Sequence, residues 1–445
     1  GAPLYDWIME VNPPLNFYYT ALPILLADAL GVSDQAAQYV VVWILLFAVL
    51  SWCSVIIHRD FDLSPGRRVL MLLATAVGLV VPSLDSIGQR EFYLVLLMMP
   101  WMLSRAAQRR SAPGAEATTA LVAALGVCLK PYFVLFPLAV TVVEIAQNRS
   151  LRPVLSTSNL VFLLVGLAYV GFVAVVHPAY FTEIIPMARL VYSAYNIDPA
   201  DLFARYLPEV LLFLLPFLAA RLDRGHGAVP PVFLAAAIAG LLSYVLQAKG
   251  FGYHTIPLIS FGLMTCFMLM LNSKSLGPVA VTCGLACFGN IAILVGEGFY
   301  HNQAVVAARR LQTEVDFDSV LVLSSNVGAG SPVALATGTR WASRYPANWL
   351  VPGAINRLAQ TDCAVDADLC GKLQALADRN RSDNIEDLVR FKPDLLVIDR
   401  DSDHFDRPNF DWVAFMAKDP AWAAIFSQYS EVAANGRFIY LLRKG

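Results

Sequence analysis

The chain of 445 residues is 57% hydrophobic and only 15% charged, and its mean hydropathy is +0.58. That composition excludes an ordinary soluble domain and places the chain among polytopic membrane proteins. A formal net charge of -2 excludes a nucleic-acid partner, because binding a phosphate backbone needs a concentrated basic surface.

In chain order, the opening "LYDWIMEVNPP" sets Asp6 and Glu10 among aromatic and apolar neighbours ahead of Pro13 and Pro14. Their i, i+4 spacing puts both carboxylates on one face if residues 4–10 are helical; the plain alternative is a solvated loop at the membrane edge. Tyr5, Trp7 and the proline pair favour a positioned interfacial loop. The chain begins at Gly1 and no signal peptide precedes the motif, so a preceding segment is expected to be missing. The next stretch, "PLNFYYTALPILLADALG", is apolar but interrupted by Pro23 and Asp28, and reads as an interfacial or re-entrant helix.

Ten spans then follow, near residues 39–57, 69–83, 91–104, 116–129, 132–147, 158–176, 206–220, 230–247, 254–271 and 277–296. An even number returns both ends to one side. Alternate connections carry Arg59, Arg67 and Arg68; Arg105, Arg109 and Arg110; Arg149 and Arg152; Arg221 and Arg224; and Lys274. Those loops are expected to be cytoplasmic. The outer side then receives residues 1–38, the loop 177–205 and the tail after 297.

With that orientation, the polar residues next to spans gather on the outer side: Asp6 and Glu10; Asp85, Gln89, Arg90 and Glu91 in "DSIGQREF"; Lys130 in "LKPYF"; Glu183 and Arg189; Lys249 and His254 in "QAKGFGYH". Charges at the hydrocarbon edge pair with each other or line a wet cavity, so the convergence points to a polar site at the outer leaflet. Plainer readings stand beside it. Arg90 and Glu91 can simply form an ion pair capping a helix start, and Lys130 can snorkel beside the proline that opens the next helix. Lys249, His254 and Tyr253 share a compact glycine-containing turn that offers two phosphate-competent donors.

The tail, 298–445, holds about half of all the charges. Its β-branched runs "SVLVLSS" (319–325), "DLLVID" (394–399) and "RFIYLL" (437–442) alternate with helical stretches, which predicts a soluble α/β domain that caps the site or presents the acceptor. "NVGAGSP" lacks both the full glycine fingerprint and a helix-borne lysine, so it is not read as a nucleotide loop. Five of the seven cysteines fall within spans as packing residues. Cys363 and Cys370 can form a disulfide if the tail lies in an oxidising compartment, and no spacing fits a structural metal.

The motifs "GAPLYDWIMEVNPPLNFYY", "GQREFYLVLLMMPWML", "LKPYFVLFPL" and "QAKGFGYHTIPLISF", with an α/β tail after the last span, resemble the integral-membrane C-type-fold glycosyltransferases that use polyprenyl-phosphate sugars, among them the protein mannosyltransferases and the aminoarabinose transferases. The resemblance covers most of the chain. It implies a helical membrane domain over 1–297, with an eleventh span preceding the chain, and a periplasmic α/β domain over 298–445. It also implies a catalytic base at Asp6, in the first outer loop. Many relatives carry two adjacent acids where this chain has Glu10 four residues on, which leaves Glu10 as a second candidate of undetermined role.

The expected reaction is inverting transfer of a sugar from a polyprenyl-phosphate donor to a glycan, lipid or protein acceptor at the outer face of a bacterial inner membrane. Asp6 would take the acceptor's proton. Lys249, His254, Arg90 and Lys130 are the candidates to hold the leaving phosphate, and Tyr253, Gln89, Glu91 and Arg189 to position donor or acceptor. A donor with a single phosphate needs no cofactor and leaves a divalent metal optional. The alternatives are a transporter or flippase of polyprenol-linked lipids, disfavoured by the lack of repeats and midplane charges, and a non-catalytic subunit of polysaccharide assembly.

Overall fold

A computed structural model describes residues 4–109, 111–222, 231–272, 277–297, 302–401, 403–406 and 410–444; the side chains of Asp6, of 216–222, of 272 and of 297 lie outside that description. A single helical turn, α1 (Leu4–Trp7), precedes α2 (Leu15–Leu30). Gly31, at φ 66°, ends α2 in the left-handed conformation, and Ser33 caps the next helix by accepting the Ala36 N–H at 3.2 Å, so α2 folds back on α3 (Asp34–Asp60).

Then come α4 (Pro65–Val80), α5 (Arg90–Ala106), α6 (Pro113–Val127), α7 (Leu135–Asn148), α8 (Thr157–Val176), α9 (Ile185–Val191), α10 (Pro199–Ala204), α11 (Leu207–Leu222), α12 (Pro231–Gln247), α13 (Ile256–Asn272) and α14 (Pro278–Glu297). Apart from the short α9 and α10, these helices and α3 fall on the predicted spans. Among the described residues, six stretches are long and apolar enough to cross a membrane: Asp34–Asp60, Pro65–Ser83, Pro131–Asn148, Thr157–Val176, Gly252–Leu271 and Pro278–Gly296. Proline stands first in α4, α6, α12 and α14, where its missing N–H is not needed.

The bundle is built around α5, buried on every face from Glu91 to Ser104, as expected of a helix apolar all round. It packs on α3, α6, α12 and α13. Gly240 brings α12 against α13 so closely that a Cβ there would lie 2.6 Å from the Leu258 nitrogen. At the ends predicted to be cytoplasmic, several of the orienting arginines are clamped to acids. Arg59 donates to Asp60 at 2.6 Å, and Arg105 donates to Glu144 at 2.6 Å and to Glu116 at 3.1 Å. Arg110, Arg224 and Lys274 lie outside the described residues.

The tail contains α15 (Gln303–Gln312), β1 (Ser319–Leu323), α16 (Ser331–Thr337), β2 (Arg340–Trp341), α17 (Leu350–Gln360), α18 (Ala367–Phe391), β3 (Leu395–Asp399), α19 (Trp412–Met416), α20 (Trp422–Phe426), β4 (Tyr429–Ala434) and β5 (Phe438–Arg443). The sheet order is β2-β1-β3-β5-β4, with β1 parallel to β2 and β3, and β5 antiparallel to β3 and β4. The three strands read from the sequence are present. The two others are an edge pair of two residues and an outer strand carrying exposed Ser430 and Glu431, neither of which shows apolar alternation. Cys363 and Cys370 are joined in a disulfide.

Side chains on β1 and β3 alternate between two cores. Val320, Val322, Leu395 and Val397 pack with Ala304, Ala308 and Leu311 of α15. Leu321, Leu323, Leu396 and Ile398 belong to a core that also contains Tyr5, Met9, Tyr180, Met187, Val191 and Tyr195 from the opening segment and the loop 177–205. The sheet domain is therefore fused to these two segments by shared apolar packing. Gly353 marks the closeness, since a Cβ there would lie 1.9 Å from the Val191 carbonyl oxygen.

Candidate functional site

Four helix ends meet at Lys130. This residue is extended, at φ -149° and ψ 142°, the conformation that Pro131 imposes on the residue before it, and its side chain enters the bundle. Its Nζ donates to Glu91 Oε1 at 2.5 Å and to Gln247 Oε1 at 2.7 Å, and lies 3.0 Å from His254 Nε2. Glu91 comes from the first turn of α5, Gln247 from the last turn of α12, and His254 from the 3-10 turn Gly252–Thr255. Gln247 was not singled out by sequence. It lies two residues before the "KGFGYH" turn, as the last residue of an apolar helix, and only that position signalled it.

Glu91 and His254 are almost wholly buried. Glu91 Oε2 and His254 Nδ1 are buried with no hydrogen-bond partner among the described residues, so the cluster keeps one acceptor and one ring nitrogen in reserve. Burial pushes the Lys130 ammonium down to about 7, against the pull of the Glu91 carboxylate. Arg90 extends the positive ground: its Nη2 lies 3.5 Å from the Tyr253 hydroxyl, and its guanidinium 5.9 Å from the ring centre. The Lys130 ammonium lies 5.4 Å from the same ring. Of the two readings of Arg90 and Glu91, the plainer one, an ion pair capping the helix start, does not form, because Glu91 points inward and pairs with Lys130. Gln89 is exposed and serves as the N-cap position of α5.

Lys249 and His254, grouped by sequence in one turn, part company. Ala248 at φ 52° and Gly250 at φ 62° flank Lys249 with left-handed backbone. Lys249 instead donates to the Tyr192 carbonyl at 2.5 Å and to Asn196 Oδ1 at 2.7 Å, with its ammonium 4.2 Å from the Tyr192 ring centre. Burial lowers it to about 8. It therefore binds the loop 177–205 and not the Lys130 cluster. Arg189 is exposed on α9.

The acid loop also departs from expectation, because helix stops at Trp7 and Glu10 does not share a helical face with Asp6. Competing bonds explain this. Glu10 Oε1 accepts the Val11 N–H at 2.8 Å, the Asn12 N–H at 3.3 Å and Asn12 Nδ2 at 2.8 Å, while Tyr5 donates to the Asn12 carbonyl at 2.6 Å. Burial raises the Glu10 carboxyl above the usual carboxylate range, opposed by Arg90 and these backbone donors. The side chain of Asp6 lies outside the described residues. Among those described, no group of three or more His, Cys, Asp or Glu side chains could hold a metal ion.

From this cluster a groove of about 810 Å³ descends between α7 and α8. α7 packs on α12 and α8 on α6, which leaves the space between them open. Pro13, Lys130, Tyr169 and Tyr180 line its upper end, and Ile145, Val154 and Asn159 its lower end. Thr141 and Asn159 join α7 to α8 near the bottom, with Asn159 Nδ2 donating to Thr141 Oγ1 at 2.9 Å. The lining is otherwise almost entirely apolar.

No protein-family profile matches the chain and no curated protein matches its sequence. Among solved structures, ArnT from Cupriavidus metallidurans in the apo state superposes with a TM-score of 0.52 at 12% identity, covering 98% of this chain and 90% of that one. The same protein bound to undecaprenyl phosphate gives a TM-score of 0.51 at 13% identity, over 97% of this chain and 87% of that one. At such identities the likeness is one of fold: the chain has an ArnT-like fold with a small C-terminal sheet domain.

Proposed function

We propose that this protein is a membrane glycosyltransferase that moves a sugar from a polyprenyl phosphate to an acceptor hydroxyl. The observation that carries the reading is the continuity of the groove with the cationic cluster: an apolar channel between two membrane helices begins at Lys130. A lipid whose head is an anion and whose tail is a hydrocarbon matches both ends. Each tail methylene withdrawn from water contributes about 0.8 kcal/mol, and the head meets charge-assisted donors. The ArnT structure that holds undecaprenyl phosphate supports the same class of ligand.

In this reading Lys130 and Arg90 take up the negative charge that grows on the phosphate as the sugar leaves, with His254 and Tyr253 as neighbouring donors. Asp6 takes the proton of the attacking hydroxyl, and a single displacement inverts the anomeric carbon. The role left to Glu10 is to hold the loop in shape, since its Oε1 is occupied by the loop's own donors. Lys249 and Tyr192 steady the outer loop above the donor. The acceptor is a glycan, a lipid or a protein. The arginine distribution supports a site at the outer face of a bacterial inner membrane, and the Cys363–Cys370 disulfide supports an oxidising compartment for the sheet domain.

The test is consumption of synthetic polyprenyl-phosphate sugars by the purified protein in lipid with membrane acceptors, set against Asp6→Asn. The expected result is use of a donor, with transfer falling about 100-fold or more in the folded variant. No donor consumed, together with movement of labelled polyprenyl phosphate between leaflets, would overturn the transferase reading in favour of a flippase.

A further inference from the structure

The backbone of Met9, one residue before Glu10, is held at both ends by the sheet domain. Its N–H donates to the Arg344 carbonyl at 2.8 Å, and its carbonyl accepts the indole N–H of Trp349 at 2.8 Å. Met9 is 1% exposed and Trp349 3%, so neither bond is exchanged for water without cost. The anchors are themselves rigid. The Arg344 guanidinium is bound by Asp383 at 3.0 Å, Glu386 at 2.8 Å and Asp387 at 2.9 Å, all on α18. Trp349 packs edge-on against Tyr192, with ring centres 6.0 Å apart, and Tyr192 is the residue under the Lys249 ammonium. A further hold comes from Arg390, whose guanidinium lies 4.0 Å from the Trp7 ring centre.

We infer that the sheet domain is a working part of the reaction centre, and that Trp349 is a positioning residue that sets the loop carrying Asp6 and Glu10 through the carbonyl of Met9. The inference rests on the transferase reading above. A domain that only capped the site or presented an acceptor would not need to fix both backbone groups of one residue in the acid loop. The bonds of Glu10 and Tyr5 to Val11 and Asn12 shape the loop from within, and the two bonds to Met9 hold that shape against the sheet domain, as placing a carboxylate within the fraction of an ångström that proton transfer requires demands.

The experiment compares the full-length protein with Trp349→Phe in the same lipid. The substitution keeps the ring and removes the donor. Three readouts are taken: hydrogen exchange of the amides of residues 9–12, affinity for the polyprenyl-phosphate donor, and kcat. The expected outcome is faster exchange and a kcat about tenfold lower, the equivalent of one lost buried hydrogen bond, with donor affinity unchanged. Unchanged exchange, or faster exchange with unchanged kcat, overturns the inference. If Trp349→Phe does not fold, the surface variant Arg390→Gln carries the same test: a lower kcat with unchanged donor affinity supports the inference, and an unchanged kcat overturns it. Absence of transfer by the unaltered protein overturns the transferase reading and takes the inference with it, whereas transfer by the unaltered protein and both variants alike removes the inference alone.

Discussion

Lys130 Nζ stands 2.5 Å from Glu91 Oε1, and the side chains are 11% and 1% exposed. The cation at the head of the groove is therefore held in a buried ion pair before any phosphate arrives. Removing one member of such a pair strands a buried charge, while removing both does not. Lys130→Met is expected to lower stability by about 3 kcal/mol or more, and the double variant Glu91→Gln with Lys130→Met to recover most of it. Both should bind a polyprenyl phosphate about 10 to 100-fold more weakly, as expected for loss of a charge-assisted contact. Thermal unfolding and lipid titration on the same samples separate the two effects, and a double variant that binds normally would remove Lys130 from the phosphate site.

The pH dependence has a defined sign. Burial places the Lys130 ammonium at about 7, so raising the pH through that value discharges it. A polyprenyl-phosphate sugar is a diester with one charge throughout this range, so the slope belongs to the protein. Donor affinity is expected to fall as pH rises from about 6 to 8, by at most about tenfold per unit. The Glu91→Gln, Lys130→Met variant should lose that slope. An equal slope in the variant would assign it to another group, of which Lys249, at about 8, is the nearest in value.

The groove can be filled without disturbing the bundle. Gly166 lines it, and a Cβ at Gly166 meets nothing within 4 Å. Gly166→Trp should preserve folding, since a helix interior favours almost any side chain over glycine, while raising the KM for a long-chain donor at least about tenfold. A short-chain donor that ends above the bulky ring should be spared. Equal kinetics with both donors would show that the tail lies elsewhere.

At the junction of the two regions, Gly353→Ala forces a methyl group onto the Val191 carbonyl, 1.9 Å from the position a Cβ would take. Backbone cannot move aside as a flexible side chain can, so a loss of about 1 to 3 kcal/mol is expected. It should be accompanied by faster exchange in residues 185–195. Gly371→Ala, where a Cβ meets nothing within 4 Å, is the matched control and should be neutral or slightly stabilising. Two equal Tm values would mean that the sheet domain is not pressed against the outer loop.

Much of the architecture was legible in the residues. The helices at the ten expected positions were readable as long apolar runs, and the strands at 319–323, 395–399 and 438–443 as short apolar runs between helical stretches, though not that β5 runs antiparallel to β3. Of the site, Lys130, Glu91, His254, Arg90 and Tyr253 were found as polar residues flanking spans, and the structure brings them together. Lys249 was grouped with them through its place in one turn. It is separated because the positive φ at Ala248 and Gly250 sends its side chain towards Tyr192, a direction that spacing does not encode.

The sequence by itself determined that this chain lives in a membrane and where its helices fall, since these follow from transfer energies that each segment carries locally. Only the tertiary structure decided the pairing of Lys130 with Glu91 in place of Arg90, the end of the first helical turn at Trp7, the groove between α7 and α8, and the grip of Arg344 and Trp349 on Met9. The first and last of these join groups far apart in the chain, and the other two turn on which of several neighbours takes a given hydrogen bond or space. That competition is settled by packing, which no local pattern records.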